Sequence, residues 1–321
     1  MVDDSMTIRD FVDNYLLHFN AGEVRKSAKS LHDFLQSGGK IFITLAGAMS
    51  TARLGKTLAP LINSGCVAGI SCTGANLEED VFVLTANSHY ETIDDWRNLS
   101  AADDAELLGR KLNRVTDVCI PEEAAIRHIE SAILPLWQDY SSNSKSALPH
   151  EFFYEILLSG DLTVDGLEDE SWVMAAAKHN LPLFVPGWED STIGNIFASH
   201  VIDSGINAST IKGGIHYMTE LAKWYENQNT PLAFFQIGGG IAGDFPICVV
   251  PMLNQDLQRD VPLWSWFCQI SESSTSYGGY SGAPPNEKIT WGKLAKETPK
   301  FVIESDATIV APLIFAYLLD L

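Results

Sequence analysis

The sequence has little positive charge. It contains 21 lysines and arginines against 41 aspartates and glutamates in 321 residues, a formal net charge of −20. Proteins that bind nucleic acid present basic patches to the phosphates, so we expect no nucleic-acid partner. An acidic protein instead attracts cations, polyamines among them, although such a charge also fits a protein that is simply kept soluble.

Cysteine is scarce, and motifs for metal or serine chemistry are missing. The five cysteines form no C-x-x-C pair, and most have small apolar neighbours. They are typical of reduced core thiols in a cytoplasmic protein, not of a disulfide framework. The eight histidines match neither H-E-x-x-H nor a two-Cys two-His array, so no metal site is predicted. There is also no G-x-S-x-G nucleophile elbow.

Long hydrophobic runs are absent as well. No apolar stretch approaches the roughly 18–20 residues that a membrane span requires. The first residues, MVDDSMTIRDF, have neither the basic start nor the apolar centre of a secretory signal. We therefore expect a cytoplasmic protein without a membrane partner.

Short apolar runs alternate with amphipathic ones along the chain, which predicts an α/β fold with a doubly wound, mostly parallel sheet. Hydrophobic residues make up 46% of the sequence, enough for a large core. With no linker or repeat visible, we expect one domain over 1–321, with a helical extension over 1–38. The predicted strands are 41-IFITLA, 66-CVAGIS, 81-VFVLTA, 182-LPLFVP, 231-PLAFFQI, 264-WSWFCQI and 300-KFVIES. The predicted helices are 8-IRDFVDNYLLHF, 24-VRKSAKSLHDFL, 121-PEEAAIRHIESAILPLW and 215-IHYMTELAKWYENQ.

In such sheets, ligands bind at the carboxyl ends of the strands, so the segments that follow the strands are the places to search. The segment 238-GGGIAG fits G-x-G-x-x-G but occurs late and lacks the second strand with its terminal acid, which favours a tight turn over a dinucleotide fingerprint. The acids of 73-TGANLEED could bind ribose hydroxyls or a cation, although their spacing favours a solvated helix start. In 190-DSTIGN, Ser191 and Thr192 could cap a helix that begins near Ile193, and Asp190 is either a cap partner or a ligand contact.

The stretch 281-SGAPPNEKITWGKL offers a candidate nucleophile. A lysine must be neutral to attack, and desolvation beside an indole favours the neutral amine. If 286–294 forms one helix, Glu287 and Trp291 share a face and could seat an ammonium group. Lys288, Lys293 and Lys296 could equally all face solvent, and for Lys288 and Lys296 we expect that they do.

Together these segments resemble the deoxyhypusine synthase family. Its C-terminal signature reads SGA-x-P-[DS]-E-A-V-S-W-G-K followed by D-A-[ST]. The segment 281-SGAPPNEKITWGK closely resembles the first part, and 306-DAT fits the second. The segments 73-TGANLEED, 190-DSTIGN and 238-GGG follow in the family's order. The resemblance implies an NAD-binding α/β homotetramer that oxidises spermidine and transfers its aminobutyl group through a lysine imine. The acceptor is a lysine of a translation factor or, in related bacterial homospermidine synthases, a small amine.

The resemblance also implies roles for individual residues. Lys293 would form the imine, with Asp244 at the position of a catalytic histidine. The polyamine site would be lined by Glu287, Trp291, Asn195 and Tyr280. NAD would be surrounded by Thr73, Gly74, Ala75, Glu79, Asp190, Ser281, Asp306 and Ala307, and less surely by Gly47, Ala48, Ser50 and Thr51.

The chain departs from the family pattern around the substrate. The family's Lys-His-His after the glycine triplet reads 243-GDF, Tyr277 and Tyr280 stand where acids are expected, and Asn195 replaces an aspartate. Some eight extra residues lie near 257-LQRDVPLW. Three functions stay open: transfer to a protein lysine, transfer to a small amine such as putrescine, or NAD binding without catalysis.

Overall fold

The structure is a computed structural model that describes residues 6–321. The first five residues, which entered the signal-sequence prediction, lie outside the described part. A six-stranded, wholly parallel sheet forms its centre, with strand order β6-β2-β1-β7-β8-β9. The predicted α/β class with a mostly parallel sheet is therefore confirmed.

The elements follow one another as strands and helices along the whole described chain. The strands are β1 Lys40–Leu45, β2 Val67–Cys72, β3 Glu91–Thr92, β4 Leu112–Val115, β5 Val118–Pro121, β6 Leu183–Phe184, β7 Leu232–Ile237, β8 Trp266–Ile270 and β9 Lys300–Ile303. The α-helices are α1 Ile8–Tyr15, α2 Phe19–Gln36, α3 Gly55–Asn63, α4 Gly74–Ala86, α5 Ala101–Gly109, α6 His128–Ser142, α7 Pro149–Leu158, α8 Trp172–Lys178, α9 Thr192–Asp203, α10 Gly214–Glu226, α11 Gly240–Ile247, α12 Val249–Pro251, α13 Glu287–Thr290 and α14 Ala307–Leu319.

Aromatic side chains in register hold one face of the large sheet together. Phe42 of β1 pairs with Phe234 of β7, which pairs with Phe267 of β8, and successive ring centroids lie 6.0 Å apart. Trp264 packs edge-on against Phe234 at 4.8 Å, and Trp224 of α10 covers Phe42 at 5.3 Å. These fully or largely buried rings explain why the strands appear in the sequence as continuous apolar runs.

The opposite face is covered by helices from both ends of the chain. Phe315 of α14 packs on Phe235 at 5.4 Å, and the Trp266 indole N–H donates to Ser30 Oγ of α2 at 3.0 Å. Val24, Ala28 and Leu31 of α2 are all buried in the main core. The N-terminal helical segment thus supplies part of the cover of the sheet.

The predicted strand at 81-VFVLTA is wrong, because these residues form the second half of α4. The Thr73 hydroxyl caps this helix by accepting the N–H of Asn76. Of its thirteen residues, all but Ala75 and Thr85 are buried, so the helix shows no amphipathic period by which it could be told from a buried strand. A second, antiparallel sheet with order β3-β5-β4 was not predicted.

The glycines after β7 form a tight turn that leads directly into α11. Gly238 and Gly240 both have positive φ, at +73° and +61°. A Cβ on Gly238 would lie 2.9 Å from Ala46 Cβ in the loop after β1. The turn expected for 238-GGGIAG is therefore present. It follows β7 and contacts the loop after β1, at the point in the sheet from which successive strands are added in opposite directions.

Candidate active site

The sequence-predicted site residues all lie on the side of the sheet where the parallel strands end. They belong to the segments that follow these strands, including the start of α9 after β6 and the segment 280–293 after β8. They fall into two groups. The first lies beyond β1, β2 and β6 and contains Thr73, Gly74, Ala75, Glu79, Asp190 and Asn195. The second lies beyond β7 and β8 and contains Asp244, Tyr280, Ser281, Glu287, Trp291 and Lys293. Asp306 and Ala307 follow β9 at the edge of the sheet.

Lys293 is buried and held by its backbone on both sides. The residue is 6% exposed. Its N–H donates to Lys288 O at 3.0 Å, and its carbonyl accepts the N–H of Trp264 at 3.3 Å. Gly292, directly before it, has a positive φ of +68°, which turns the chain so that Lys293 points inward. The lysine thus lies on a fixed backbone and not on a flexible surface loop.

Three side chains surround the Lys293 amine. Its Nζ lies 3.5 Å from Asp244 Oδ1 of α11, a carboxylate whose side chain is half exposed. It also lies 5.6 Å from the ring centroid of Tyr280 and 5.8 Å from that of Trp291. The site therefore offers an amine with one carboxylate partner between two aromatic faces, an arrangement suited to forming an imine.

Tyr280 is fixed by a row of amides from the sheet. Its hydroxyl donates to Gln236 Oε1 at 2.7 Å, and Gln236 donates in turn to Gln269 Oε1 at 3.1 Å. Gln269 donates to the carbonyl of Ser281 at 2.5 Å. Burial raises the pKa of the Tyr280 hydroxyl, so it stays protonated as a donor near neutral pH.

Lys288 does not face solvent, contrary to the sequence-based expectation. It is only 3% exposed, and its Nζ lies 4.8 Å from the Tyr280 ring centroid and 4.9 Å from that of Phe267. The sequence could not reveal this, because the rings that cover Lys288 come from β8 and from the segment before α13. Lys296 is exposed, as expected.

The stretch 286–294 is not one helix. The helix α13 ends at Thr290, and the chain then turns at Gly292. Glu287 and Trp291 are both exposed, Trp291 by 66%. The i, i+4 argument for a shared helical face therefore does not apply, although Trp291 still lies beside the Lys293 amine.

Four of the six residues of the first group line an open cleft of about 680 Å³ between α4 and α9. Ala75, Glu79, Asp190 and Asn195 are among its lining residues. Asp190 is exposed there, and Ser191, not Asp190, caps α9 by accepting the N–H of Gly194. The Asn195 amide donates to Ser191 O at 2.6 Å. Small residues and carboxylates therefore meet at the start of two helices.

The acid triplet before Val81 is buried, so the expected solvated helix start is wrong. Glu78, Glu79 and Asp80 are 2%, 9% and 5% exposed. Glu78 accepts the N–H groups of Thr192 and Ile193 at 2.8 and 2.7 Å. Burial raises the pKa of Glu78 to about 7 and that of Asp80 to about 6.

Each acid of the triplet joins α4 to a different neighbour. Glu79 accepts a hydrogen bond from the Thr51 hydroxyl at 2.8 Å, and Asp80 accepts those of Ser171 Oγ at 2.5 Å and the Val173 N–H at 3.0 Å. With Glu78 at the start of α9, the three carboxyls fix the positions of α9, the loop after β1 and α8 relative to α4.

The raised pKa of Glu78 predicts a pH-dependent stability. Between the unfolded pKa of about 4.5 and the folded value of about 7, the folded state binds the proton more tightly, so this contribution falls as pH rises through that window. We expect Glu78→Gln to change the pH dependence of the free energy of unfolding, measured by urea unfolding from pH 5 to 7.5: its decline with rising pH should become shallower by at most about 1.4 kcal/mol per pH unit. Glu297→Gln, at an exposed acid, should leave the slope unchanged. Parallel slopes for all three proteins would contradict the prediction.

The remaining predicted residues have mainly structural contacts. Asp306 caps α14 by accepting the N–H of Thr308 at 2.7 Å, and Ala307 begins that helix. Ser281 is buried against Gly239, where a Cβ would overlap the serine hydroxyl. Of the residues predicted less surely, Ser50 accepts the Trp172 indole N–H at 2.9 Å. Gly47 and Ala48 lie beside it in the loop after β1.

Sequence reasoning missed Lys288, Gln236 and Gln269. A signal for the two glutamines was present, because 231-PLAFFQI and 264-WSWFCQI each place one glutamine just before the last residue of an apolar strand. Adjacent parallel strands then set the two amides side by side, in register. No such signal marks Lys288.

No helix within residues 6–321 is both long and apolar enough to cross a membrane. In the same part of the chain, no three or more His, Cys, Asp or Glu side chains come together in a way that could hold a metal ion.

Known proteins resemble the chain over nearly its whole length. The family model described as deoxyhypusine synthase matches residues 12–318. A protein named "Probable deoxyhypusine synthase 2" from Methanosarcina mazei is 28% identical over 275 residues, which cover 85% of this chain and 75% of that protein. A deoxyhypusine synthase-like protein of Cyanothece sp. is 26% identical over 337 residues, covering 99% and 80%.

A solved structure supports the fold. It is described as "a putative deoxyhypusine synthase from Entamoeba histolytica" and superimposes with a TM-score of 0.57 at 13% identity. The match covers 98% of this chain and 93% of that one. At this identity the likeness concerns the fold alone.

Proposed function

The chain belongs to the deoxyhypusine synthase family, and from that premise we propose that it is an NAD-dependent transferase of aminoalkyl groups. The donor would be a polyamine such as spermidine, and the acceptor another amine. The observation that carries this proposal is the buried Lys293, fixed by its backbone and placed 3.5 Å from Asp244 at the carboxyl edge of the sheet. As in the family, the active protein would be a homotetramer.

Lys293 would be the nucleophile. Once its amine has lost a proton, Nζ adds to the imine carbon of the oxidised donor, and the remainder of the donor leaves as a free amine after taking up a proton. The acceptor amine then adds to the same carbon and displaces Lys293. The burial of Lys293 against Tyr280 would limit the access of bulk water to this carbon and so slow hydrolysis of the lysine imine.

Asp244 would orient the amine. Its Oδ1 contacts the Lys293 amine, and the same oxygen accepts from the Cys248 thiol at 3.6 Å. Burial raises the pKa of that thiol, so it stays neutral beside the ion pair. A carboxylate in this place can accept a hydrogen bond from the lysine or from an incoming ammonium group.

The residues of the cleft between α4 and α9 fit NAD in their chemistry. Ala75 lines the cleft at the start of α4, where backbone N–H groups favour a pyrophosphate. Gly74 supports this place indirectly, because it packs closely against Ser191 and Trp188. The carboxylates of Glu79 and Asp190 can accept hydrogen bonds from ribose hydroxyls. Bound here, NAD would supply reversible hydride transfer, from the donor amine and back to the product imine, so that no net oxidation would result. Ser281 would contribute from the segment after β8, and Asp306 and Ala307 from the segment after β9.

The donor would bind along Tyr280, Glu287 and Trp291, with Asn195 reaching it from α9. Trp291 can hold an ammonium group against its exposed ring, and Glu287 can pair with one from solvent. Lys293 is only 6% exposed, which favours a small amine as acceptor over a lysine on the surface of a folded protein. Homospermidine, formed from spermidine and putrescine, is therefore a candidate product beside a modified protein lysine.

The test is a product analysis. We expect the protein, given NAD and spermidine with a panel of amines, to yield a transferred product by mass spectrometry without net NADH release. Homospermidine would identify a small-molecule enzyme, and modification of an added translation-factor lysine a protein-modifying one. NAD binding without turnover of any amine would contradict the proposal and identify a non-catalytic protein, and stoichiometric NADH release in the presence of an acceptor would indicate a plain dehydrogenase.

A further inference from the structure

Lys288 is a buried cation without a counter-ion of its own. The residue is only 3% exposed, and the one hydrogen-bond acceptor of its amine among residues 6–321 is the carbonyl of Ala283, at 3.4 Å. None of the carboxylates in that range lies within ion-pair distance of its Nζ, and the nearby Asp244 contacts Lys293 instead. Burial lowers the pKa of Lys288 to about 8, which still leaves most of these amines charged at pH 7. Because buried charges are normally paired, an anion for this amine has to come from a ligand.

Lys288 adjoins the candidate nucleophile. Its carbonyl accepts the Lys293 N–H at 3.0 Å, and the two amines approach the same aromatic ring. The Nζ of Lys288 lies 4.8 Å from the Tyr280 ring centroid, and that of Lys293 lies 5.6 Å from it. The Phe267 ring, 4.9 Å from the Lys288 amine, adds a second aromatic face, but such faces compensate a charge only weakly. An anion that pairs with Lys288 would therefore belong to a molecule that reacts at Lys293.

The surroundings of Lys288 do not suit a second ammonium group of a substrate. Lys288 stands where the family signature has an alanine, and Tyr280 stands where an acid is expected. The Tyr280 hydroxyl is not an anion, because burial keeps it protonated and it donates to Gln236 Oε1 at 2.7 Å. Asp244 contacts Lys293, and Glu287 is exposed. A substrate ammonium beside Lys288 would thus meet a buried like charge, whereas a carboxylate would form a charge-assisted hydrogen bond with it.

We propose that Lys288 binds a carboxylate of the acceptor, which is then an amino acid whose amine reacts at Lys293. This inference rests on the proposed function and names its class of acceptor. The bond that forms joins the acceptor nitrogen to the imine carbon, and the bond that breaks is that of this carbon to Lys293 Nζ. The hydride removed from the donor reduces the product imine. The carboxylate takes no part in these steps and only fixes the acceptor.

Three amines with the same four-carbon chain test the proposal. The far end of butylamine is uncharged, that of putrescine is a second ammonium, and that of 4-aminobutyrate is a carboxylate. In one reaction with spermidine, NAD and equal concentrations of the three at pH 7, we expect the wild-type protein to use 4-aminobutyrate at least about tenfold faster than the other two, measured from the initial rates of the product masses.

Two variants show whether Lys288 causes this preference. In Lys288→Met, which keeps the length and apolar contacts of the side chain, 4-aminobutyrate should lose its advantage over butylamine, and putrescine should gain. Lys296→Met, at an exposed lysine of the same segment, should keep the wild-type order.

Binding is measured separately from turnover. Calorimetry in the presence of NAD but without a donor should show 4-aminobutyrate binding at least about tenfold more tightly to the wild type than to Lys288→Met. A crystal structure of the wild type with 4-aminobutyrate should place a carboxylate oxygen within hydrogen-bond distance of Lys288 Nζ. Absence of 4-aminobutyrate binding, equal preferences in the wild type and Lys288→Met, or a carboxylate bound away from Lys288 would overturn the proposal. If no amine gives a product, the proposed function fails, whereas calorimetry and the crystal structure still decide the role of Lys288.

Discussion

Lys293→Ala should abolish covalent capture of the donor and lower the transfer rate by at least about three orders of magnitude. The reason is that no other described amine lies in the same contact with both Asp244 and the Trp291 ring. The measurement is borohydride reduction in the presence of NAD and the donor. Cleavage after Glu287 and Glu297 then releases the peptide 288–297 for mass analysis. NAD binding by calorimetry should be retained, since the predicted cofactor residues lie mainly beyond other strands.

Lys296→Ala is the matched control, because Lys296 is exposed in the same peptide and contacts neither Asp244 nor Tyr280. It should keep both the adduct and the turnover. Full turnover by Lys293→Ala would refute the assignment of the nucleophile. An adduct that maps to Lys288 in the wild-type protein would transfer that role to the other buried amine.

Gly239→Ala should destabilise the fold by about 1–3 kcal/mol, the usual cost of overpacking a buried site. A Cβ at this position would overlap Ser281 Oγ and approach Ser281 Cβ to 2.7 Å. The serine cannot withdraw easily, because it is buried and its carbonyl accepts the Gln269 amide at 2.5 Å. Urea unfolding, monitored by tryptophan fluorescence, measures the loss.

A second substitution tests the cause of that loss. Ser281→Gly in the Gly239→Ala background removes both clashing atoms and should restore most of the stability. Gly214→Ala provides the control, since a Cβ there meets nothing within 4 Å. Equal effects of Gly239→Ala and Gly214→Ala, or a double variant no more stable than Gly239→Ala, would show that steric overlap with Ser281 is not the cause.

Much of the fold could be predicted because parallel strands leave a clear pattern. Runs such as 41-IFITLA and 231-PLAFFQI are buried on both faces, so they appear as continuous apolar segments between glycines and polar turns. The same reasoning failed for 81-VFVLTA, since α4 is also buried all round and leaves no amphipathic period. The small sheet of β3, β4 and β5 was missed because its strands are short and partly exposed.

The sequence by itself determined the class of the fold, the edge of the sheet at which the site lies, and Lys293 as the candidate nucleophile. These follow from local patterns. Parallel strands place the segments that follow them on the same side of the sheet, and a motif keeps its residues together along the chain. Only the tertiary structure decided that Lys288 and the acids of 73-TGANLEED are buried and that Glu287 and Trp291 do not share a helix. Burial depends on which distant segment covers a side chain, and for Lys288 that cover comes from Phe267 and Tyr280. For Glu78 it comes from the start of α9, more than a hundred residues away along the chain.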